Sequence, residues 1–435
     1  MTQPSHDLIG VGIGPSNLSL AALLVPVTNF RTRFLDRRSH FNWHPGLMLP
    51  GARLQTSFLK DLVTAVDPTS PHSFLSYLVA KKRFYDFVNA AFDNIGRSEF
   101  ADYLAWVAKR LDGLHFSCPV REIDFDGTRF VVRSDQGTAT TANLCIATGN
   151  TANLPDWANT HLGERCFHAS EILQQSRDIT GKRVAVVGGG QTGAEVFLAL
   201  AQGLFGTAAS VNWISRRPNF DPLDETHFAN EIFTPDYLQR FFDLPEGRKP
   251  CVVDEQKLKS DGISPSTLRE IYHLLYQLRH LSNGKSNLSL MPGREVFALQ
   301  KQADGMSLST RNHMVGEDES LSADIVVLCT GYRTLVPEFL EPLATRIESD
   351  NQGRPQLNRN FGVLWDGPSD RRIYMQNCAR HSHGIADPQL SLMAWRSAAI
   401  VNDLIGRRVY DIEQCPPVVN WQSARQAQES DTVAA

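Results

Sequence analysis

Asp7–Leu20 reads DLIGVGIGPSNLSL. A short apolar run ends in Gly12 and Gly14, and a run of helical period follows from Asn17 to Leu24. Strand, tight turn and helix in that order form a phosphate cradle, because glycine admits a close backbone approach and the helix N-terminus faces negative charge. Gly12, Gly14, Pro15 and Asn17 are the candidate cofactor contacts, with Asn17 standing where a third glycine is usual. A second strand, Thr32–Leu35, ends at Asp36, 22 residues beyond Gly14, where a ribose-binding carboxylate is expected.

The same grammar returns at Arg183–Ala194, RVAVVGGGQTGA, with all three glycines of the turn in place at Gly188, Gly190 and Gly193. Gln191 and Thr192 join them as candidate contacts. The next strand, Val211–Ile214, runs into Ser215-Arg216-Arg217 with no acid to grip a ribose hydroxyl. Guanidinium groups there suit a 2′-phosphate, which favours NADPH over NADH. Two such units in one chain argue for two dinucleotides, and strands ending LCIATG (Leu144–Gly149) and IVVLCTG (Ile325–Gly331) give each a further close glycine.

The expected fold is α/β, with two Rossmann-like dinucleotide-binding domains and a small, mainly helical substrate domain inserted. The boundaries are 1–160 and 333–435 for the first domain, 161–220 and 294–332 for the second, and 221–293 for the insert. The polar tail 421–435 is expected to be disordered.

The chain has 435 residues, room for several domains and a large cofactor. Its 43 basic and 47 acidic residues leave a net charge of −4, which argues against nucleic acid or anionic membrane and for a small-molecule partner. No Cys-x-x-Cys pair occurs among the 7 cysteines, so a disulfide reductase is excluded and no structural metal is expected. His381 and His383 lack a third ligand at matching spacing. The first residues carry no basic head or cleavage site, and no run of about 18 apolar residues occurs, so a cytoplasmic protein without a membrane span is expected.

Flavin monooxygenases of the Baeyer–Villiger and drug-oxidising types carry Phe-x-Gly-x-x-x-His between their nucleotide units. Aligning that histidine with His168 puts Leu162 and Glu164 at the other positions, so those types are disfavoured. The chain instead resembles the siderophore-pathway N-hydroxylating monooxygenases, most of all the lysine N-hydroxylases of the aerobactin type. The resemblance is carried by Asp7–Leu20, FNWHPG (Phe41–Gly46), LQTSFLKDLV (Leu54–Val63), PTSPHSFLSYL (Pro68–Leu78), CFHASE (Cys166–Glu171), VVGGGQTGA (Val186–Ala194), FANEIFTPDY (Phe228–Tyr237), DIVVLCTGY (Asp324–Tyr332) and HGIADPQLSLMAWR (His383–Arg396).

That resemblance implies FAD in the first unit and NADPH in the second, with oxygen added through a flavin hydroperoxide to a neutral amine. It places Gln55 beside the flavin ring, Lys60 on a substrate carboxylate, Asn230 on the substrate backbone, and Ser391 with Gln389 at the closure of the flavin and amine pocket. Trp43 and His44 are expected against the flavin pocket. Asp261 lies near the position from which ornithine enzymes reach the side-chain amine, and a carboxylate there would attract its ammonium end. Cys329 departs from the alanine of the family signature, and Asn230 from the aspartate expected in aerobactin-type enzymes. L-Lysine is the first substrate expectation and a diamine, cadaverine or putrescine, the second; a non-catalytic NADPH-sensing flavoprotein is the alternative of another class. Relatives are often tetramers, which makes a homo-oligomer the expectation. A free lysine amine has a pKa of ~10.4, so an optimum above neutral pH is expected.

Overall fold

A computed structural model describes residues 5–174, 177–281, 287–413, 415 and 417–421. The first unit is built on a seven-stranded sheet. Ser5–Val11 lies at its centre, with Thr32–Leu35 and Gly137–Ile146 parallel on either side. Both expected elements of the opening motif are present, and the helix begins at Pro15. Pro15 occupies the first turn, where its missing N–H leaves no helical bond unmade. The helix Pro15–Leu24 has no single apolar stripe because it is covered all round: Asn17 to Leu24 are buried, with the helix Met393–Ile405 packed against it. A run of antiparallel strands, Val120–Phe125, Phe130–Ser134 and Gly137–Ile146, carries the chain back to the sheet centre.

The second unit has a five-stranded, all-parallel sheet in the order Leu288–Pro292, Ser210–Ser215, Arg183–Val187, Ile325–Leu328, Cys166–His168. Trp213 fills its core, stacked on Phe197 at 5.2 Å, and gives its indole N–H to Gly188 O at 2.8 Å. A three-stranded antiparallel sheet, Arg294–Gln302, Gly305–Asn312 and Glu317–Ala323, is added to it. The chain is thus α/β with two dinucleotide-binding units.

The insert differs from expectation at its C-terminal end. The helix Pro265–His280 packs on Gln191–Ala201, and its Ile271 belongs to the second unit's core. Leu288–Pro292 pairs in parallel with Ser210–Ser215, so helix and strand form the crossover of a βαβ unit. The segment 221–293 is therefore not one inserted domain. Its helices Pro235–Phe242 and Lys249–Glu255 dock on the first unit instead, where Ile232, Tyr237 and Phe241 bury Ile385. At the tail, Trp421 meets Tyr237 at 4.9 Å and is not free, while 422–435 lie outside the described residues. The two chain crossings between the units pair with each other, Ala152 with Tyr332 and Thr151 with Arg333.

Candidate active site

The first turn is shaped by what a side chain would strike. Gly12 has φ +90°, and a Cβ there would lie 2.4 Å from Ala147 O. A Cβ on Gly14 would meet nothing within 4 Å, so that side of the turn is open. Asn17 is fully buried and turned away from the opening. Its amide donates to Gly12 O at 2.8 Å and more weakly to Val11 O and Cys145 O, and its oxygen accepts from Gln376 Nε2 at 3.3 Å. The Asn17 side chain thus staples the turn to the sheet.

Asp36 is likewise engaged within the protein. Oδ2 accepts from Ile13 N at 2.7 Å and Arg38 Nη2 at 2.7 Å, and Oδ1 from Arg38 N at 2.8 Å and Arg38 Nε at 3.0 Å. Burial pushes the carboxyl pKa up, but the bonds from Arg38 and Ile13 outweigh it and hold the group below the usual range. Four donors fill a carboxylate's acceptor sites, so Asp36 orients the turn and Arg38 and has no free lone pair for a ribose hydroxyl. Arg38 also donates to Ile13 O at 3.0 Å. It escaped the sequence reading, although its place two residues after the strand-end acid was visible.

In the second turn a Cβ on Gly188 (φ +136°) would lie 2.1 Å from Cys329 O, and one on Gly193 would lie 2.0 Å from Gly188 O. Gly190 caps the helix Gln191–Ala201 and leaves its N-terminus open, with Thr192 half-buried beside it. Arg216 is exposed and has no partner among the described residues. Arg217 is committed: both its Nη atoms donate to Asp261 O, at 3.1 and 3.2 Å.

Where the units meet, the FNWHPG loop presses on CFHASE, since a Cβ on Gly46 would lie 1.7 Å from Ser170 O. His44 sits in left-handed backbone at φ 46°, its ring edge-on to Trp43 at 5.3 Å and to Tyr332 at 6.2 Å. The ring stays accessible, yet the protein packed round it, then the Arg97 and Arg38 charges, lower its pKa to about 4. His168 Nδ1 accepts from Ser170 N at 3.2 Å, which leaves Nε2–H to donate to Gly331 O at 3.1 Å. His168 is therefore a neutral tie to the Thr-Gly-Tyr stretch. Gln55, on the flavin-side loop, reaches across to Ser264 Oγ at 3.0 Å and Gln191 Oε1 at 3.5 Å.

Lys60 follows on the same loop, half-buried, with no hydrogen-bond or ion-pair partner for its ammonium among the described residues. Burial lowers its pKa. The loop is held by the neighbouring Asp61, whose buried carboxylate accepts from Thr64 N at 2.7 Å, Val63 N at 2.9 Å and Phe74 N at 2.6 Å. Asn230 is exposed, its amide on Glu225 O at 3.3 Å. Gln389 and Ser391 are half-buried at the head of the helix Met393–Ile405. Asp261 does not offer a free carboxylate to an amine, because Arg380 pairs with it at 3.2 Å and Ser260 Oγ donates to it at 3.0 Å. Its backbone oxygen lies 4.0 Å from the Cβ position of Gly190, which places it beside the second turn.

Two glycine cradles, each blocked on the protein side and open on the other, fit two pyrophosphates, and Arg216, unpaired among the described residues, fits a 2′-phosphate. FAD would be held by the Gly12–Gly14 turn and NADPH by Gly188–Gly193 with Arg216. Among the described residues, no group of three or more His, Cys, Asp or Glu is arranged to hold a metal ion, and no helix is long and apolar enough to cross a membrane.

The profile of the L-lysine 6-monooxygenase/L-ornithine 5-monooxygenase family matches residues 4–334. The L-lysine N6-monooxygenase of Escherichia coli is 43% identical over 421 residues, 96% of this chain and 99% of its own. A putrescine N-hydroxylase of Acinetobacter baumannii is 33% identical over 420 residues, 95% of this chain and 93% of its own. Among solved structures, the FAD-bound cadaverine monooxygenase of Erwinia amylovora superposes with a TM-score of 0.89 at 31% identity, covering 96% of this chain and 98% of that one. The ornithine N-hydroxylase of Kutzneria sp. 744, with reduced FAD, NADP⁺ and L-ornithine, gives 0.86 at 30% identity over 93% and 99%.

Proposed function

We propose that this chain, which belongs to the L-lysine 6-monooxygenase/L-ornithine 5-monooxygenase family, hydroxylates the terminal amine of L-lysine, using NADPH and molecular oxygen, and so supplies a hydroxylamine for hydroxamate siderophore synthesis. The observation that carries this reading is the ammonium of Lys60, unpartnered among the described residues and half-buried on the loop that also carries Gln55. A partly buried cation without a counter-ion is costly unless a ligand supplies the opposite charge, and the α-carboxylate of an amino acid does so. A diamine would bring a second cation toward Lys60. Asp261 would not offset that repulsion, since Arg380 already holds its carboxylate.

Bound FAD, reduced by NADPH, supplies the oxygen-activating chemistry. The protein's own task is to position and exclude. Arg216 takes the 2′-phosphate, Gln55 stands between the flavin-side loop and the second turn, and Lys60 anchors the substrate by its α-carboxylate. Asn230, Gln389 and Ser391 complete the substrate side in this reading, and Trp43 with His44 the flavin side. The protein works in the cytoplasm as a homo-oligomer.

The test is NADPH oxidation under air with L-lysine, L-ornithine, cadaverine and putrescine, scored by hydroxylamine and separately by hydrogen peroxide. Hydroxylamine from L-lysine well above the diamines is the expected result. Hydroxylamine from cadaverine alone overturns the substrate, and peroxide alone, the same with every amine, overturns the hydroxylase. The diamine reading draws on the likeness to the cadaverine and putrescine enzymes, and on Asn230 standing where aspartate is expected.

A further inference from the structure

The geometry points to the Arg97–Glu195 ion pair as a positioning device for hydride transfer, one that fixes the amide of Gln191 and registers the second nucleotide turn against the flavin-side loop. Glu195 lies on the helix Gln191–Ala201, 7% exposed, and Arg97 opens the helix Arg97–Ala108 of the first unit. Arg97 Nη2 meets Glu195 Oε1 at 2.6 Å, and its other Nη reaches Leu47 O, just beyond His44, at 3.4 Å. One guanidinium thus holds the FNWHPG loop and the nucleotide-side helix together.

Glu195 Oε1 also accepts from Gln191 Nε2 at 2.9 Å. A carboxylate can only accept and a backbone N–H can only donate, so the Gln191 amide has one orientation: Nε2 toward Glu195, and Oε1 toward Ser264 N at 2.8 Å and Gln55 Nε2 at 3.5 Å. Arg97, Glu195, Gln191 and Gln55 therefore form one chain of contacts from the first unit to the second and back. The other carboxylate oxygen, Oε2, is buried without a partner among the described residues. A pair serving stability alone would be expected to satisfy both oxygens, since a buried orphan acceptor is unfavourable. This inference rests on NADPH at the second turn and is independent of which amine is hydroxylated.

The experiment uses full-length, FAD-loaded protein without amine. NADP⁺ affinity is measured by calorimetry, flavin reduction by anaerobic stopped flow at saturating NADPH, and folding by thermal melting. In Glu195→Gln the amide can present either end to Gln191, and flavin reduction is expected to slow by about ten- to hundredfold, as for other small misplacements of a reacting group. NADP⁺ binding is expected to weaken less, by about fivefold, with the melting temperature nearly kept. The double variant Arg97→Met/Glu195→Gln should be no slower than the worse single one, because the two residues act through one contact. Glu195→Asp, which keeps the charge, should recover part of the rate and serves if Arg97→Met does not fold. Reduction and NADP⁺ affinity both within twofold of the parent in folded Glu195→Gln overturn the inference, as do independent, multiplying effects in the double variant. Failure of the parent to bind NADP⁺ overturns the cofactor reading along with it.

Discussion

Arg216 and Arg217 leave the same strand end in different states: Arg216 stands exposed and unpaired among the described residues, while Arg217 spends both Nη atoms on Asp261 O. Adjacent guanidinium groups that look equivalent in sequence are thus divided into one free for a ligand and one that braces the segment beside the second turn.

Arg216→Ala should raise the KM for NADPH by about ten- to hundredfold, the usual worth of a charge-assisted hydrogen bond, and leave the KM for NADH nearly unchanged. Steady-state kinetics with both nucleotides decide it. Equal losses for the two would remove Arg216 from the 2′-phosphate.

Lys60→Met should weaken L-lysine by about tenfold or more and leave cadaverine unchanged or improved, because only the amino acid brings a carboxylate. The pH profile carries a second signature. Burial lowers the pKa of Lys60, so its charge is lost at a lower pH than in an ordinary lysine. With L-lysine, kcat/KM should therefore rise above neutral pH as the substrate amine deprotonates, then fall as Lys60 does. The falling limb should be missing in Lys60→Met.

How much of this was legible in the sequence depended on how local its cause was. Gly12 and Gly188 were readable because a turn with positive φ and a close carbonyl leaves no room for a side chain, and the chain around each states that need. The helix Pro265–His280 was readable as a helix but not as a crossover, since its period says which stripe is apolar and not which sheet will cover it. Asp36 followed the expected spacing, and only the fold shows that Arg38 occupies it. Arg97 and Glu195 lie 98 residues apart and Asp261 and Arg380 lie 119 apart, so no local pattern could pair them.

Gly12→Ala and Gly14→Ala should separate folding from cofactor binding. At Gly12 the new methyl meets Ala147 O at 2.4 Å in a backbone conformation that alanine disfavours, so both the melting temperature and flavin content should fall, with FAD held at least about tenfold more weakly. At Gly14 the methyl points into open space, so the apoprotein should melt as the parent does and lose flavin affinity only. Flavin absorbance and melting curves of apo and loaded protein test both. Unchanged flavin content in Gly14→Ala would place the pyrophosphate elsewhere.

His383 gives the fold a pH dependence of its own. It is fully buried, its ring stacked on Phe361 at 4.4 Å with Nδ1 2.9 Å from Ser382 Oγ. Burial, opposed by nearby Asp387 and assisted by Arg396 and Lys249, lowers its pKa from 6.5 to about 4. The unfolded chain takes up a proton near 6.5 and the folded one does not until about 4, so stability should fall as pH drops through that window and level off below it. The full effect of such a shift is on the order of 3 kcal/mol. Thermal melts between pH 7.5 and pH 4, set against His383→Gln, measure it, with carboxylate contributions common to both curves. The variant should start lower, having lost the stacked ring, and decline less steeply; parallel curves would mean that His383 takes its proton in the folded protein as readily as in the unfolded chain.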